Sequence, residues 1–308
     1  MIRVIYKGVD VTDSVSVNSC IHEMWAAGCS DTLDVRFNDS AKLWDAWGVQ
    51  VDDEIRIDYG SASTGTMFVR SAAPENGLFT IRAMSAPASA MARADKAWSQ
   101  VRLLQLGEEI ATRHGLGFKS YGVTDRLYPY LMQAGVSDFA FLHHRAMLEG
   151  CAFLVYDKTL ILYDIATMEA ETPLEAVEIS LDGDYRYTDA RARLFESCIV
   201  ASGNYKGEYT ANNGTGRVLR PDIDFAICSN DEAGRFAKGL LRDANSNGMT
   251  GYIRTNTIMG GYAAGSTISI SNQRASSWDG AVFLYRVRHD YGAGTSKLFF
   301  RKPLEGFA

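Results

Sequence analysis

The sequence has few prolines, no long apolar run and no surplus of basic residues. Its six prolines stand beside 28 glycines, 15 tyrosines and 14 phenylalanines, a composition typical of a chain rich in strands and turns. No apolar stretch approaches the roughly 18 residues that a membrane-spanning helix needs, so we expect no stable membrane association. The first residues, MIRVIYK, lack the apolar core and cleavage site of a signal peptide, which favours synthesis in a reducing cytoplasm.

The charge balance excludes one broad class of function. The chain has 31 Lys and Arg against 37 Asp and Glu, which gives a formal net charge of −6 and a pI of about 5.4. A protein that binds DNA or RNA through the phosphates is normally basic, so general nucleic-acid binding is not expected. Apolar residues at 46% and charged residues at 22% are ordinary for a folded protein and exclude a disordered chain.

The cysteines exclude two kinds of stabilising site. They are five in number, widely spaced and without a C-x-x-C pair, so we expect neither a disulfide framework nor a structural zinc site. Buried, reduced thiols are the prediction instead. The five are Cys20, Cys29, Cys151, Cys198 and Cys228.

Motifs for catalysis and cofactor binding are also lacking. The sequence contains no G-x-S-x-G or S-x-x-K nucleophile motif and no G-x-x-x-x-G-K-[ST] phosphate loop. Two carboxylate pairs, Glu108 with Glu109 and Asp182 with Asp184, are more typical of a solvated helix face and a turn than of acid–base catalysis. We therefore predict that the chain is not an enzyme and has no catalytic residue, no cofactor-binding residue and no cofactor.

Among the histidines, the adjacent pair His143 and His144 is the strongest candidate for a metal site. Neighbouring side chains on a helix point about 100° apart, so the two imidazoles cannot bind one ion from the same face. No H-E-x-x-H pattern accompanies them, and we predict a structural or surface role and no metal site. His22, His114 and His289 are isolated in sequence and have no better claim.

Alternating patterns predict strands over residues 1–90. Apolar and charged side chains alternate in residues 33–37 and 54–59, as they do in half-buried strands. Residues 66–71 and 78–83 flank a Pro-Glu-Asn-Gly turn and predict a hairpin. Short antiparallel strands at this spacing favour a small barrel or sandwich.

The pattern changes between residues 91 and 171 and predicts a small α+β unit. Helical spacing of apolar residues predicts helices near 103–114 and 138–149, the second with Ser137 as its N-cap. Glycines 115 and 150 follow the two helices, where a residue with positive φ commonly ends a helix. Residues 151–156 and 159–163 then predict a hairpin.

Strand patterns return from about residue 172, interrupted by one helix. Strands are predicted at 176–181, 196–202, 250–258, 266–271, 281–290 and 296–301. An exposed, mobile loop is predicted from Gly203 to Gly216. The capping box Ser229-Asn-Asp-Glu232 predicts a helix start. The apolar stripe behind it is predicted to face a core and comprises Ala233, Phe236, Ala237, Leu240, Leu241 and Ala244.

Several segments, taken in order and spanning almost the whole chain, resemble a known family. Residues 103–116 read LLQLGEEIATRHGL, residues 130–150 read YLMQAGVSDFAFLHHRAMLEG, and the hairpin at 151–164 follows. The closing pattern runs from GYAAGSTI at 261–268 through YRVRH at 285–289 to LFFR at 298–301. Together they resemble the late control gene D family, the baseplate hub proteins of contractile phage tails. The same fold forms the N-terminal region of VgrG spike proteins of type VI secretion.

The resemblance implies a non-enzymatic protein of the virion tail baseplate, made in the cytoplasm of a bacterial host. The implied fold is α+β and mainly β, with two tail-tube-like antiparallel β-barrel domains and an inserted small α+β domain. On this division the first barrel comprises residues 1–90 plus 172–196, and the inserted domain comprises residues 91–171. Residues 197–308 form the second barrel with one helix.

The implied function is that of a trimeric symmetry adaptor, which joins a six-fold tail tube to a three-fold spike around an axial channel. Three copies of a chain with two similar barrels present six barrels to the tube and still form a three-fold platform. The implied partners are two further copies in a homotrimer, the tail tube or tube-initiator protein, the spike protein, the tape-measure protein and baseplate wedge proteins. DNA would only pass through the lumen, and acidic groups lining the bore would repel it from the wall.

Two other functions remain open from the sequence. One is a baseplate-associated cell-wall hydrolase, which needs carboxylates or a nucleophile in a cleft. The other is a tube or distal-tail protein of a non-contractile phage, which shares the barrel. Because the sequence ends at Ala308, we expect spike and lysozyme-like functions to reside in separate proteins.

Overall fold

The first strands show the alternation of buried and exposed residues that the sequence pattern predicts. The computed structural model describes residues 1–28, 30–180, 183–223 and 225–307. In it, one side of a strand buries Leu33, Val35 and Phe37. The residues between them are more exposed, as a period of two requires. The first part of the chain contains β1 (Ile2–Tyr6), β2 (Val9–Asp10), β3 (Ser16–Trp25), β4 (Thr32–Asn38), α1 (Leu43–Trp47), β5 (Glu54–Tyr59), β6 (Ala62–Ser63), β7 (Met67–Glu75) and β8 (Leu78–Met84).

The next part mixes helices and strands, and its predicted helices and hairpin are confirmed. Ser137 Oγ accepts a hydrogen bond from the Ala140 N–H, the N-cap bond that the sequence predicts. Gly115 and Gly150 both have positive φ where the helices end. The elements are β9 (Arg93–Arg102), α2 (Leu103–Arg113), β10 (Gly117–Tyr121), β11 (Leu127–Ser137), α3 (Asp138–Leu148), β12 (Cys151–Tyr156), β13 (Thr159–Asp164) and α4 (Ile165–Ala170).

The last part returns to strands around one long helix. Its elements are β14 (Leu174–Ile179), β15 (Asp184–Asp189), β16 (Ser197–Ser202), β17 (Tyr205–Thr210), β18 (Val218–Leu219), α5 (Asn230–Asn245), β19 (Met249–Thr255), β20 (Thr267–Asn272), β21 (Gly280–Asp290) and β22 (Thr295–Arg301). Strand β17 corrects one prediction, because Gly203 to Gly216 was expected to be a loop. Its residues pair with β16 along their whole length.

One 14-stranded sheet runs through both β-rich parts, in the order β15-β19-β22-β21-β3-β4-β8-β7-β5-β1-β2. Beside this path β6 pairs with β5, and β20 pairs with both β21 and β14. Most neighbours are antiparallel, whereas β14 and β20 run parallel. Three smaller sheets consist of β10-β13-β12, β9-β11 and β17-β16-β18. The fold is therefore mainly β, built from antiparallel sheets with few helices, which confirms the predicted fold class.

The buried apolar side chains form three clusters, which we use to name three regions. The N-terminal half comprises β1–β8 and packs around Trp44 and Phe37. The C-terminal half comprises β14, β15 and β19–β22 and packs around Phe283 and Phe300. The middle unit comprises β9–β13, α2, α3, β16–β18 and α5, whose side chains share the third cluster.

Two segments pack differently from the predicted division of the chain. Strands β14 and β15, predicted to complete the first barrel within 172–196, instead pair with β20 and β19 of the C-terminal half. Strands β16–β18 and helix α5, predicted as part of the second barrel at 197–308, contribute Cys198, Val200 and Phe236 to the core of the middle unit. Alternation predicts that a segment is a strand, but its pairing partner lies far along the chain and leaves no local signal.

The capping box at the start of α5 forms as a pair of hydrogen bonds. The Glu232 N–H donates to Ser229 Oγ at 3.1 Å, and the Glu232 carboxylate accepts from the Cys228 N–H at 2.6 Å. In the predicted pattern the carboxylate bonds the N-cap residue itself, so here it reaches one residue further back. Cys228 is exposed, unlike Cys20, Cys151 and Cys198, so the prediction of buried thiols is wrong for this residue.

The apolar stripe of α5 is shorter than the spacing predicts. Phe236 and Leu241 are fully buried, but Leu240 is only partly buried and Ala244 is exposed. The contact with α3 is made instead at Gly239, where an added Cβ would lie 2.3 Å from the carbonyl oxygen of Leu148 at the end of α3. The helix therefore approaches α3 with its backbone at Gly239, a contact that hydrophobic spacing does not encode.

Four residues of the sequence predictions lie outside the described residues. They are Cys29, Leu181, Asp182 and Ala308.

Candidate functional site

The two halves of the molecule meet where β3 pairs with β21. The register places Trp25 opposite Arg286, His22 opposite His289 and Ile21 opposite Asp290. Within the 14-stranded sheet, this pairing joins two four-stranded walls, β15-β19-β22-β21 in the C-terminal half and β3-β4-β8-β7 in the N-terminal half. Because side chains alternate between faces, one face of each wall contacts a core and the other is open.

A row of charged residues crosses the open face at this junction. Directly opposed pairs place Asp184, Arg254, Lys297, Arg288 and Glu23 side by side on five consecutive strands. Three cations are thus adjacent, with one acid at each end. Like charges directly opposite each other destabilise a sheet, so the pairs Arg254–Lys297 and Lys297–Arg288 oppose folding, whereas the end pairs Asp184–Arg254 and Glu23–Arg288 favour it.

The open face differs in charge between the two walls. The C-terminal wall has five cations and two acids at directly opposed positions: Arg186, Arg254, Arg286, Arg288, Lys297, Asp184 and Asp290. The N-terminal wall has two cations and three acids: Arg36, Arg82, Glu23, Asp34 and Glu75. Repulsion of DNA from a bore would require acidic groups along it, whereas the C-terminal wall of this face is basic, although the whole chain is acidic.

Aromatic rings lie beside the cations of the C-terminal wall. The Arg286 guanidinium lies 4.7 Å from the centre of the Trp25 ring and 4.5 Å from that of Phe299. Lys297 Nζ lies 3.5 Å from the centre of the Tyr252 ring. Glu23 accepts from Arg286 at 2.8 Å and contacts Arg288 at 3.2 Å. These contacts hold the cations against the sheet and cover the ring faces.

Two buried histidines lie beneath the junction, on the core side of the sheet. His22 Nδ1 is 3.3 Å from the Tyr291 hydroxyl, and His289 Nδ1 is 2.8 Å from Ser296 Oγ. Burial lowers the pKa of His22 to about 3, with a smaller contribution from His289, and lowers the pKa of His289 to about 4. Both rings are therefore neutral at pH 7, and sequence reasoning did not place them together.

An open cavity of about 320 Å³ lies where the N-terminal half, the middle unit and the C-terminal half meet. Its lining includes Met24, Asp31, Tyr163, Tyr262 and His289. The Asp31 carboxylate accepts from the Trp25 N–H at 2.9 Å, and burial raises the pKa of Asp31 to about 7. The cavity thus contains a carboxyl group that exchanges its proton near neutral pH.

A buried ion-pair cluster connects the C-terminal half to the helices. Glu169 at the end of α4 contacts both Arg242 of α5 and Arg301 of β22. All three side chains are at least nine-tenths buried. Desolvation of two guanidinium groups is expensive, and among the described residues Glu169 is the carboxylate that compensates for it. Glu169 therefore links β22 of the C-terminal half to helix α5 of the middle unit.

The structure brings together one constellation that the sequence separates. Ser89 Oγ lies 2.9 Å from His114 Nδ1, and His114 Nε2 lies 2.8 Å from Asp138 Oδ2. A Ser–His–Asp chain of hydrogen bonds is the arrangement that activates a serine hydroxyl. Here Asp138 also accepts from Arg113 at 2.7 Å and from Gln133 at 2.9 Å, so its charge is already compensated.

The other candidate residues do not converge. His143 faces the backbone near Gly28, where burial lowers the pKa of its imidazole, whereas His144 packs edge-on against Phe225. The two rings therefore point to different neighbours, as the helix geometry predicts.

The predicted carboxylate pairs do not form acid–base pairs either. Glu108 is exposed, while Glu109 accepts from the Trp98 indole at 3.0 Å and is paired with Lys96. Asp184 opens β15 and begins the charged row, and Asp182 lies outside the described residues.

A two-stranded ribbon formed by β9 and β11 carries an exposed apolar face. Trp98, Val101 and Leu131 are buried beneath it, whereas Tyr130 and Met132 are exposed on top. Exposed apolar side chains grouped on one surface commonly mark a contact with another protein. The ribbon is therefore a second candidate surface for assembly.

Two kinds of feature are absent from the residues that the structure describes. Within them, no group of three or more His, Cys, Asp or Glu side chains could hold a metal ion. No helix in the same part of the chain combines the length and apolar character needed to cross a bilayer.

Comparison with known proteins shows the fold. No family model and no curated protein sequence matches the chain. Among solved structures, a tail protein of Neisseria meningitidis is similar with a TM-score of 0.77 and 12% identity, over 99% of this chain and 97% of that one. A tail protein of prophage MuSo2 from Shewanella oneidensis gives 0.75 and 11%, over 98% of both chains.

A third similar structure comes from a secretion system. It is an E. coli component of the type VI secretion system, described as structurally similar to the T4 tail proteins gp27 and gp5. The TM-score is 0.61 at 12% identity, over 97% of this chain and 76% of that one. The chain therefore shares the fold of phage tail proteins and of a type VI secretion component.

Proposed function

We propose that this chain is a structural hub of a contractile phage tail or phage-like particle. Three copies join a six-fold tail tube to a three-fold spike and leave an axial channel for DNA. The observation that supports this function is the continuity of the sheet, since β3 and β21 join two four-stranded walls within one chain. Three copies in a ring would then present six walls to the tube and three equivalent surfaces to the spike.

The division into domains belongs to the same proposal. The N-terminal half and the C-terminal half are two tube-like barrel units, and the middle unit consists of two insertions, one between the halves and one between β15 and β19 of the C-terminal half. The partners are two further copies of the chain, the tail tube or its initiator, the spike, the tape-measure protein and baseplate wedge proteins. The exposed apolar ribbon, with Tyr130 and Met132, is suited to one of these contacts. In this proposal the protein is located in the virion baseplate.

A particle reconstruction with this subunit labelled tests the proposal. We expect three copies at the junction of tube and spike, beneath a sheath. One or six copies at that junction, or repeated rings of the chain along the tube, would contradict the hub. A tail without a sheath would favour a tube or distal-tail protein of a non-contractile phage.

One observation favours a second candidate, a cell-wall hydrolase. The hydrogen-bonded chain Ser89–His114–Asp138 contains an exposed hydroxyl beside an imidazole. The alternative to catalysis is a structural role, which we call a clamp: the hydrogen bonds connect the turn at Ala88–Met91 to the end of α2 and the start of α3. We assign the clamp, since Arg113 and Gln133 already engage the carboxylate.

Degradation of purified peptidoglycan separates the clamp from the hydrolase. The wild-type chain and Ser89→Ala are both expected to release no soluble fragments. Release by the wild-type chain that disappears in Ser89→Ala, while Ser99→Ala on the neighbouring ribbon keeps it, would establish the hydrolase.

A further inference from the structure

Among the residues that the structure describes, two of the three adjacent cations, Arg254 and Lys297, form no ion pair. Arg254 and Lys297 have no carboxylate within 4 Å in this part of the chain, and Arg288 shares Glu23 with Arg286. The row borders a groove of about 450 Å³ that is also lined by Arg286, Phe299 and two carboxylates, Asp184 and Asp290, so four cations face two acids there. Because opposed like charges destabilise the sheet, a ligand that supplies negative charge would remove this repulsion.

The geometry limits the shape of that ligand. Strands lie about 4.8 Å apart, so three cations on three consecutive strands span roughly 10 Å across the sheet. Asp184 and Glu23 end the row on either side, and Asp290 lines the same groove, so these carboxylates repel a wider anionic surface. The fit is therefore a narrow line of negative charge that crosses the strands.

The chemistry of the groove separates a nucleic-acid backbone from an acidic protein segment. Protein interfaces need an apolar centre, and Phe299 is the apolar residue at this groove, with its ring beside the Arg286 guanidinium. Phosphate contacts need only positioned cations. Lys297 also covers the Tyr252 ring, so stacking of bases on that ring face is not available.

We propose that Arg254, Lys297 and Arg288 form a binding site for the phosphate backbone of DNA. The choice of DNA as the occupant rests on the proposed function, in which three copies surround the channel that DNA crosses. Binding is sequence-independent and weak for one chain, because three cations release few counterions. In the assembled ring the three rows act together and hold DNA against the wall before release.

Fluorescence anisotropy of a short labelled DNA duplex, titrated with the isolated full chain at low salt, tests the site. The test variant is Arg254→Gln/Arg288→Gln/Lys297→Gln. The matched control is Arg93→Gln/Lys119→Gln/Lys206→Gln, which removes three exposed cations from β9, β10 and β17 and gives the same net charge. A charge-preserving variant, Arg254→Lys/Arg288→Lys, keeps the phosphate contacts.

We expect the test variant to bind DNA much more weakly than the wild type, while the control and the charge-preserving variant bind as the wild type does. The slope of log Kd against log salt should fall by about 2.7 in the test variant, which is about 0.9 for each cation that no longer neutralises a phosphate. Thermal unfolding of each variant verifies that the fold is retained.

Three results would overturn the site: no DNA binding by the wild-type chain at low salt, equal loss in test and control variants, or tighter row-dependent binding of poly-glutamate than of DNA. Since the assay uses the isolated chain, its result does not depend on where the chain lies in a particle. A reconstruction that places the chain away from the tube end would refute the hub and leave the anisotropy result unchanged.

Discussion

The two halves of the sheet have similar strand arrangements and are stabilised by different means. The N-terminal half closes around aromatic side chains, with the Trp44 ring 4.4 Å from Phe37 and 6.1 Å from Phe79. The C-terminal half also has an apolar core, but it depends on Glu169, which holds two buried arginines. Both halves thus have apolar cores, but the C-terminal half also contains a buried charge cluster, in which the two arginines require Glu169 as their partner.

The same contrast appears on the open face. In the N-terminal wall Arg82 lies opposite Asp34, and the two side chains are 3.1 Å apart. In the C-terminal wall Lys297 lies between Arg254 and Arg288. Opposed ion pairs stabilise a sheet and opposed like charges destabilise it, so one wall is optimised for folding alone. The other retains two opposed cation pairs, which the proposed ligand would stabilise.

The largest effect is expected from Glu169→Gln. The change leaves Arg242 and Arg301 buried without a carboxylate, and breaking a buried pair in this way costs about 3–5 kcal/mol. Urea unfolding should show a large loss of stability with the C-terminal half unfolding first. Glu171→Gln, an exposed carboxylate two residues along the chain, is the control and should be close to neutral.

A triple variant distinguishes the loss of the ion-pair attraction from the cost of burying unpaired arginines. If the buried arginines are the problem, Glu169→Leu with Arg242→Met and Arg301→Met should recover most of the stability, because an apolar replacement avoids desolvation. A Glu169→Gln protein as stable as the wild type would remove the contrast between the halves.

The next effect is a pH dependence at the junction. The fold keeps His22 and His289 neutral with lowered pKa values of about 3 and 4, whereas the unfolded chain takes up protons below about pH 6.5. Stability is therefore complete above about pH 6.5 and is lost as the pH falls toward 4, by up to about 1.4 kcal/mol per pH unit for each histidine. Urea unfolding of wild type and His22→Gln from pH 7 to 4.5 should give a shallower slope for the variant.

Asp31 has the opposite effect on the pH dependence of stability, so its variant is the control for the histidine variants. Burial raises its pKa to about 7, so its contribution is present at low pH and is lost as the pH rises from about 4 to 7. Asp31→Asn should therefore make the acid loss steeper than in the wild type. Parallel pH profiles for the wild type, His22→Gln and Asp31→Asn would show that the junction does not titrate.

The sequence predicts local structure well and long-range arrangement poorly, for physical reasons. The helix at Leu103–Arg113 and the hairpin at Cys151–Asp164 follow from periodicity, caps and turns, which are local. The pairing of β15 with β19 depends on residues far along the chain. The contact of Gly239 with α3 is invisible to hydrophobic spacing for the same reason.

The candidate site shows the same limit. Arg286 and Arg288 alternate in one strand, which indicates an exposed cationic face, but Lys297 and Arg254 join them only through the register of three strands. His114 is isolated in sequence, and folding places it between Ser89 and Asp138. No single-sequence pattern gives either arrangement. The spacing of cations in β21 is the one signal that could have indicated the row.

The smallest expected effect is a difference in salt response between Lys297→Gln and Arg82→Gln. Both variants remove one cation from the open face and take the net charge from −6 to about −7, so any effect of overall charge is the same in both. Salt screens the repulsion around Lys297 and the attraction between Arg82 and Asp34. Raising NaCl to about 0.5 M should therefore stabilise Lys297→Gln less than the wild type, and Arg82→Gln more, each by a few tenths of a kcal/mol. Thermal unfolding at low and high salt measures both, and equal responses in the two variants would mean that the walls do not differ electrostatically.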